Sequence, residues 1–216
     1  METSSTRKLW GVGTSRTLRA HWALIELGLV YKKIDIRPRS AAADEAGFLI
    51  VSPDKKVPVL QDGTLTISES PAITIYLAEL YSTADTRLIP LEINSRARFF
   101  EWVSYISMEL DATSLYVIRR HLDLAKEYGE APAAVDLARD YFVRIVARAG
   151  RTLGDGRPYL LGKLFSVADI LMVSCFDFAD QYDAPLPVVS SFRACTRRSP
   201  RNLEGGACVA LSFPLN

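Results

Sequence analysis

The sequence predicts two domains, an α/β domain over about residues 1–82 and an all-helical domain from about residue 92 to residue 216. Short strand-like and helix-like segments alternate through the first part in the order β-α-β-α-β-β-α. After the polar stretch at residues 82–86 the strand-like segments stop, and apolar residues recur at helical spacing. This change of pattern predicts the domain boundary.

Apolar patterning predicts the first four elements of the α/β domain. Leu9–Val12 is strand-like, and the segment from Ser15 to Gly28 predicts a helix that stops at its glycine. The apolar stripe of that helix consists of Leu18, Trp22, Ile25 and Leu29. Tyr31–Ile36 then predicts a second strand, and Ala41–Leu49 predicts a second helix.

A β-hairpin and a third helix complete this domain. Two strand-like runs, Val57–Gln61 and Thr64–Ser68, flank Asp62-Gly63, a dipeptide that strongly favours a hairpin turn. Ser70 followed by Pro71 then predicts a helix start, with the serine at the N-cap and the proline in the first turn.

The second domain is predicted to contain three long helices. They run from about Ser95 to His121, from Pro132 to about Leu153, and onward from Ser166. The first carries two apolar stripes, which need two partners. One stripe consists of Phe99, Val103, Ile106 and Leu110, and the other of Tyr105, Met108, Ala112 and Tyr116. The third is apolar all round, which predicts a central position, and its Ser166-Val167-Ala168-Asp169 start predicts a capping box.

The composition is globular and argues against several partners. The chain has 216 residues, 49% hydrophobic and 24% charged, with a formal net charge of +1. Such a chain has no overall field to hold nucleic acid or an anionic membrane surface. No apolar run reaches the roughly 18 residues that span a bilayer. The three cysteines, Cys175, Cys195 and Cys208, fit neither a disulfide framework nor a metal-ligand spacing. We therefore expect a soluble cytoplasmic protein without a metal.

Five motifs follow one another in a specific order. They are Leu9–Leu29 with Ser15-Arg16 ahead of Arg19, Pro53–Leu60, Ser68–Ile73, Glu101-Trp102, and Tyr159–Gly162 ahead of Phe165–Ile170. On these motifs the chain resembles the glutathione S-transferase family over nearly its whole length. It is most similar to theta-like and bacterial members that use a hydroxyl residue in the first loop. The resemblance implies a thioredoxin-like first domain, a helical second domain and glutathione as co-substrate.

A hydroxyl group in the first loop would activate glutathione, because the thiolate rather than the thiol attacks electrophiles. The resemblance implies that Ser15 donates the hydrogen bond to the sulfur, with Thr14 as the alternative donor. Ser15 is equally suited to cap the first helix, and the two roles can coexist.

The resemblance also implies the groups that bind glutathione. A cis peptide bond before Pro58 would turn the backbone of Val57 outward to pair with the cysteinyl unit, and a trans proline at an edge strand is the alternative. Lys56 would meet the glycine carboxylate, or remain a solvated lysine. Ser70 and the amides of its helix would bind the γ-glutamyl carboxylate, and Glu69 the ammonium of the same unit.

The resemblance implies a homodimeric glutathione transferase of detoxification. Its apolar wall for a small hydrophobic electrophile would consist of Tyr105, Met108, Ala112 and Tyr116, although such stripes are also typical of cores and subunit contacts. Two alternatives are a specialised glutathione-dependent lyase, dehalogenase or β-etherase, and a non-catalytic interaction module. The tail Thr196–Asn216 departs from the family pattern, which leaves the electrophile undetermined.

Overall fold

The computed structural model of the chain describes residues 7–182. These residues form two compact units, and the chain passes from one to the other between Arg87 and Leu88. The first unit is α/β and the second is helical, as the sequence predicts. The expectations for the tail Thr196–Asn216, and for Cys195 and Cys208, lie outside the described residues.

The first unit has the predicted order of elements. They are β1 (Lys8–Trp10), α1 (Ser15–Glu26), β2 (Lys32–Ile34), α2 (Ala46–Val51), β3 (Val59–Asp62), β4 (Leu65–Ser68) and α3 (Ser70–Tyr81). The predicted helix over Ala41–Leu49 is instead a 3-10 turn at Ala41–Asp44 followed by α2. The two pieces are separate because Glu45 between them has an extended backbone, with φ −68° and ψ 139°.

The four strands form one sheet in the order β2-β1-β3-β4. β1 pairs in parallel with β2, whereas β1 with β3 and β3 with β4 pair antiparallel. The predicted hairpin is present, with Asp62 opposite Leu65 and Gly63 at a φ of 59°. Leu9 lies opposite Leu60 in the middle of the sheet, and neither side chain is exposed. The sheet centre is therefore the core of this unit.

Between Leu88 and Tyr182, the described part of the second unit consists of helices and two isolated β-bridges. The helices are α4 (Ile93–Tyr105), a π-helix (Ile106–Leu115), α5 (Tyr116–His121), α6 (Ala125–Tyr128), α7 (Pro132–Leu153) and α8 (Val167–Asp180). The prediction of one α-helix from Ser95 to His121 is therefore wrong in its middle. A π-helix bonds residues five apart, as in the bond from the Tyr116 N–H to the Asp111 carbonyl. The buried Ser114 hydroxyl lies within hydrogen-bond distance of the carbonyls of both Glu109 and Leu110.

α8 is the centre of the helical unit, as its all-round apolar sequence predicts. Most of its side chains are fully buried, and the predicted capping box is present at its start. The Asp169 carboxylate accepts from the Ser166 N–H and hydroxyl, and from the Leu160 N–H, each at 2.8 Å. Burial raises the pKa of Asp169 to about 6. This side chain therefore joins the preceding loop to the central helix.

Replacing Asp169 with alanine should destabilise the protein by about 2–4 kcal/mol, because it removes a helix cap and leaves buried donors unpaired. Chemical unfolding of the variant and the parent measures the difference. Asp155→Ala is the control, since Asp155 pairs with Arg157 at the surface and its loss should leave the unfolding midpoint nearly unchanged. Equal losses in the two variants would contradict this role of Asp169.

Candidate functional site

The loop between β1 and α1, residues 11–14 and named here the first loop, packs directly against Val57. Gly11 has a φ of 119°, and a Cβ atom placed on it would lie 2.5 Å from the Cβ of Val57. Only glycine fits, because both the backbone angle and the space exclude a side chain. The Gly11 N–H donates to the Ile34 carbonyl at 3.0 Å. The first loop is thus fixed between the end of β2 and Val57.

His21 of α1 forms a hydrogen bond to the same loop. Its Nε2 lies 3.0 Å from the Gly11 carbonyl, which can only accept, so Nε2 carries the proton. Its Nδ1 then accepts from the Tyr31 hydroxyl at 2.8 Å. Burial lowers the pKa of His21, which keeps the ring neutral. Sequence reasoning assigned His21 only a surface or core role, because a contact between a helix and a loop leaves no periodic signal.

Thr14, and not Ser15, is the N-cap of α1. Its Oγ1 accepts from the Thr17 N–H at 3.0 Å, and its own N–H donates to the Thr17 hydroxyl at 3.0 Å. The Thr17 hydroxyl donates to the Thr14 carbonyl at 2.8 Å. Thr14 and Thr17 therefore form a closed capping box, and the alternative in which Ser15 caps the helix is wrong.

Ser15 is the first residue of α1 and is buried, with 8% of its surface exposed. Within residues 7–182, no hydrogen bond occupies its side chain. Its hydroxyl lies at the helix N-terminus, where backbone N–H groups and the helix dipole favour negative charge. The two adjacent hydroxyl residues thus differ: Thr14 is engaged in the cap and Ser15 is available to a ligand.

The peptide bond between Val57 and Pro58 is cis, as expected. Neither the N–H nor the carbonyl of Val57 bonds to another described residue, although Pro58 leads directly into β3. The backbone of Lys56 is fixed, because its N–H and carbonyl both bond to the Ser52 hydroxyl at 3.0 and 2.9 Å. The Lys56 side chain is exposed. A peptide-like ligand can therefore pair with Val57 in an extended conformation.

Glu69 and Ser70 lie at the start of α3. Ser70 was predicted as the N-cap and is instead the first residue of the helix. Glu69 is the N-cap and Ser70 the first helical residue, and the Glu69 side chain makes no capping bond. Glu69 has φ 67° and ψ 112°, a conformation that costs a residue with a side chain about 1–3 kcal/mol. Its carboxylate is exposed, whereas Ser70 is only 2% exposed.

Arg19 of α1 lies beneath Ser70. It is 1% exposed, and its Nη1 donates to the Ser70 hydroxyl at 3.4 Å. This bond joins α1 to the start of α3 and leaves the Ser70 hydroxyl its own proton to donate. The sequence indicated Arg19 only through its spacing from Ser15, and the contact with α3 is tertiary.

The four residues expected to form an apolar wall differ in their contacts and in their exposure to solvent. The Tyr105 hydroxyl donates to the Ile145 carbonyl of α7 at 2.6 Å, and Arg148 lies 4.6 Å from the centre of its ring. Met108 is 60% exposed, and Ala112 is exposed. Tyr116 is half-buried. Met108 and Ala112 belong to the π-helix, where α-helical spacing does not apply, so the wall stays a prediction.

Burial raises the pKa of Tyr105 to about 12, so this hydroxyl remains protonated and bound to α7 at neutral pH. The Glu109 carboxylate accepts from the Tyr141 hydroxyl, which raises the pKa of Tyr141. Residues 7–182 contain no group of three or more potential ligands placed to hold a metal ion. None of the helices described there has the length and apolar character needed to span a membrane.

Comparison with known proteins finds similar chains among the glutathione S-transferases. Residues 5–79 match the family model of the glutathione S-transferase amino-terminal domain. Glutathione S-transferase F14 of Arabidopsis thaliana is 29% identical over 74% of this chain and 63% of its own length. Glutathione S-transferase theta-1 of Rattus norvegicus is 30% identical over 59% of this chain and 53% of its own length. The chain thus spans between half and two thirds of these two relatives.

Solved structures share the fold over almost the whole chain. The theta class glutathione S-transferase of Xanthomonas axonopodis pv. citri, solved with glutathione bound, has a TM-score of 0.77 at 25% identity and covers 98% of this chain and 100% of its own. Ure2p in complex with glutathione has a TM-score of 0.81 at 18% identity and covers 94% of this chain and 99% of its own, a likeness of fold alone. The amino-terminal domain match, the curated relatives and the fold agree, and the chain is similar to glutathione S-transferases over most of its length.

Proposed function

We propose that this protein is a glutathione transferase that holds glutathione as a thiolate and directs it at a small hydrophobic electrophile. The observation that best supports the proposal is the free backbone of Val57, which packs against the first loop just before the free hydroxyl of Ser15 at the start of α1. A cytoplasmic, detoxifying role is proposed with it. No metal is needed, because the protein would only have to bind glutathione and stabilise its sulfur.

The proposed glutathione site extends along the sheet from Val57 to the start of α3. The cysteinyl unit would pair with the N–H and carbonyl of Val57 as an added strand. The γ-glutamyl carboxylate would accept from Ser70 and the first N–H groups of α3, above the buried Arg19. Glu69 would bind the ammonium, and Lys56 the glycine carboxylate. Each charge of the tripeptide would then have an opposite charge or a donor.

The Ser15 hydroxyl would donate to the sulfur and favour the thiolate. A free thiol has a pKa near ~8.5, and lowering it by about two units requires roughly 2.7 kcal/mol. One hydrogen bond to a charged acceptor supplies ~1.5–3 kcal/mol, and the helix N-terminus adds ~0.3–2 kcal/mol. Thr14 fits this role less well, because its hydroxyl is engaged with Thr17.

In the proposed reaction the thiol proton passes to solvent, and the sulfur forms a bond to the electrophilic carbon. Where the electrophile carries a halide, the carbon–halogen bond breaks and the halide leaves with its electron pair. Of the predicted wall residues, Met108 and Ala112 are exposed and free to contact an apolar co-substrate, and Tyr116 is partly so. Tyr105 would hold this segment in place through its hydrogen bond to the Ile145 carbonyl of α7.

Incubating the protein with glutathione and a panel of electrophiles tests the proposed function. Aryl halides, epoxides and enones cover the main reaction types, and conjugates are detected by mass spectrometry beside a protein-free control. Conjugation above the control with at least one electrophile is expected. A protein that binds glutathione and conjugates none of them would instead favour the interaction module.

Ser15→Ala should raise the pKa of bound glutathione by roughly one to two units and lower the rate near neutral pH about tenfold or more. Raising the pH should partly restore the rate, because the thiolate then forms without help. The thiolate absorbance of bound glutathione against pH measures the shift.

Thr14→Ala is the matched variant, one residue away in the same turn. It should lower the free energy of unfolding by about 1 kcal/mol through the lost cap, with little change in the thiol pKa. If instead Thr14→Ala shifts the thiol pKa and Ser15→Ala only lowers the free energy of unfolding, Thr14 is the donor.

Glu69→Ala should weaken glutathione binding about tenfold, since the ammonium loses its partner, with a smaller effect on turnover at saturation. Isothermal titration calorimetry measures the affinity. Glu79→Ala, at the other end of α3, controls for the change of net charge and should bind glutathione like the parent. Unchanged affinity in Glu69→Ala would rule out this γ-glutamyl site.

We also propose a homodimer, because large apolar side chains at the start of the helical unit are exposed to solvent. They include Leu91, Ile93 and Phe100, which are 68%, 73% and 41% exposed. Burying such residues between two copies removes apolar surface from water. Sedimentation at micromolar concentration should give twice the chain mass of 24.0 kDa, and a monomer would contradict this proposal.

A further inference from the structure

Arg37 lies against the first loop on the side away from Val57. Its Nη1 and Cζ atoms are 3.4 and 3.9 Å from the point that a Cβ atom of Gly13 would occupy. Gly13 has a φ of 77° and no side chain, so the guanidinium fits over the loop backbone two residues before Ser15. The guanidinium thus lies at ordinary van der Waals distance from that point.

The backbone of Arg37 is fixed in this position. The Val12 N–H donates to the Ile36 carbonyl at 3.0 Å, which continues the pairing of β1 with β2. The N–H and hydroxyl of Ser40 both donate to the Arg37 carbonyl, at 3.2 and 2.7 Å. The side chain therefore starts from a rigid point, although it is exposed.

The charge of Arg37 has no partner among residues 7–182. Other arginines pair with a carboxylate, as Arg98 does with Glu101 at 2.8 Å and Arg148 with the same residue at 2.6 Å. Neither a hydrogen bond nor an ion pair joins the Arg37 side chain to any described residue. A guanidinium is always charged and presents five N–H donors in a geometry that matches a carboxylate.

The sheet order separates Arg37 from the proposed glutathione site. β1 lies between β2 and β3, so the segment after β2 and the segment before β3 flank the first loop on opposite sides. Glutathione paired with Val57 would occupy the β3 side. The glycine carboxylate would have Lys56 on that side. Arg37, on the β2 side, is left to meet a group attached to the sulfur.

We propose that Arg37 binds a carboxylate of the electrophilic co-substrate and so selects acidic electrophiles. This inference rests on the proposed function and names the substrate class of the same site. Two chain steps separate Gly13 from Ser15, which places the guanidinium within about 15 Å of the Ser15 hydroxyl. A carboxylate carried by a small co-substrate attached to the sulfur therefore falls in the range that Arg37 can reach.

The test compares two glutathione conjugates that differ in one group. The probes are the conjugates of a chloronitrobenzoate and of the matching chloronitrobenzamide, each bound to the parent and to Arg37→Gln in calorimetry. The parent should bind the carboxylate conjugate about three- to tenfold more tightly relative to the amide, and Arg37→Gln should remove this preference. Added salt should reduce the preference in the parent, because the pair is exposed. Lys32→Gln, at the opposite end of β2, removes the same charge and should keep the preference.

The other outcomes separate this inference from the proposed function. If the parent binds both conjugates equally, or Arg37→Gln keeps the preference, Arg37 does not select the co-substrate and the transferase proposal stands. If Arg37→Gln weakens the binding of glutathione itself as much as that of the carboxylate conjugate, Arg37 belongs to the glutathione site and the inference is overturned. If neither conjugate binds the parent, the proposed function and this inference both fail.

Discussion

The close contact between Gly11 and Val57 is the constraint on which the candidate site depends. A Cβ atom at position 11 would lie 2.5 Å from that of Val57, so the two backbones can approach only because residue 11 is glycine. The contact joins the start of α1 to the segment before β3, and His21 and Ile34 fix Gly11 from two other directions. Any group bound to Val57 is therefore held at a set distance from the helix start. A thiol and its hydrogen-bond donor need this arrangement.

Two adjacent hydroxyl residues at that helix start illustrate how the fold separates stability from chemistry. Thr14 and Thr17 satisfy each other's backbone N–H groups at the start of the helix. Ser15 consequently carries no structural hydrogen bond to the described residues, and its replacement need not weaken the helix. The same division recurs at α3, where Ser70 is supported from below by Arg19 and the Glu69 carboxylate is left exposed. In both places the neighbouring residues position a polar group near a helix N-terminus and leave it able to form further hydrogen bonds.

The sequence predicts the parts of this arrangement that short-range patterns determine. Asp62-Gly63 predicts the hairpin, and Ser166 with Asp169 predicts the capping box, because turn and cap chemistry are local. Ser15 and Ser70 were predicted as N-caps, but each is the first residue of its helix and the residue before it is the N-cap. Sequence alone does not distinguish these neighbouring positions. The π-helix at Ile106–Leu115 escaped prediction because apolar periodicity does not distinguish bonds five residues apart from bonds four apart. Contacts such as Arg19 with Ser70 and Arg37 with Gly13 join distant segments, and only the fold brings them together.

The central claim is that glutathione binds along the edge formed by Ser15, Val57 and Ser70. The most direct measurement is the change in backbone amide resonances of the isotope-labelled protein as glutathione is added. The largest changes are expected at residues 13–16, 56–57 and 69–72, with saturation at one glutathione per chain. Because the Val57 N–H has no partner among the described residues, its resonance should move markedly as it gains a hydrogen bond. Absence of changes at these three segments, or changes confined to other parts of the chain, would contradict the account.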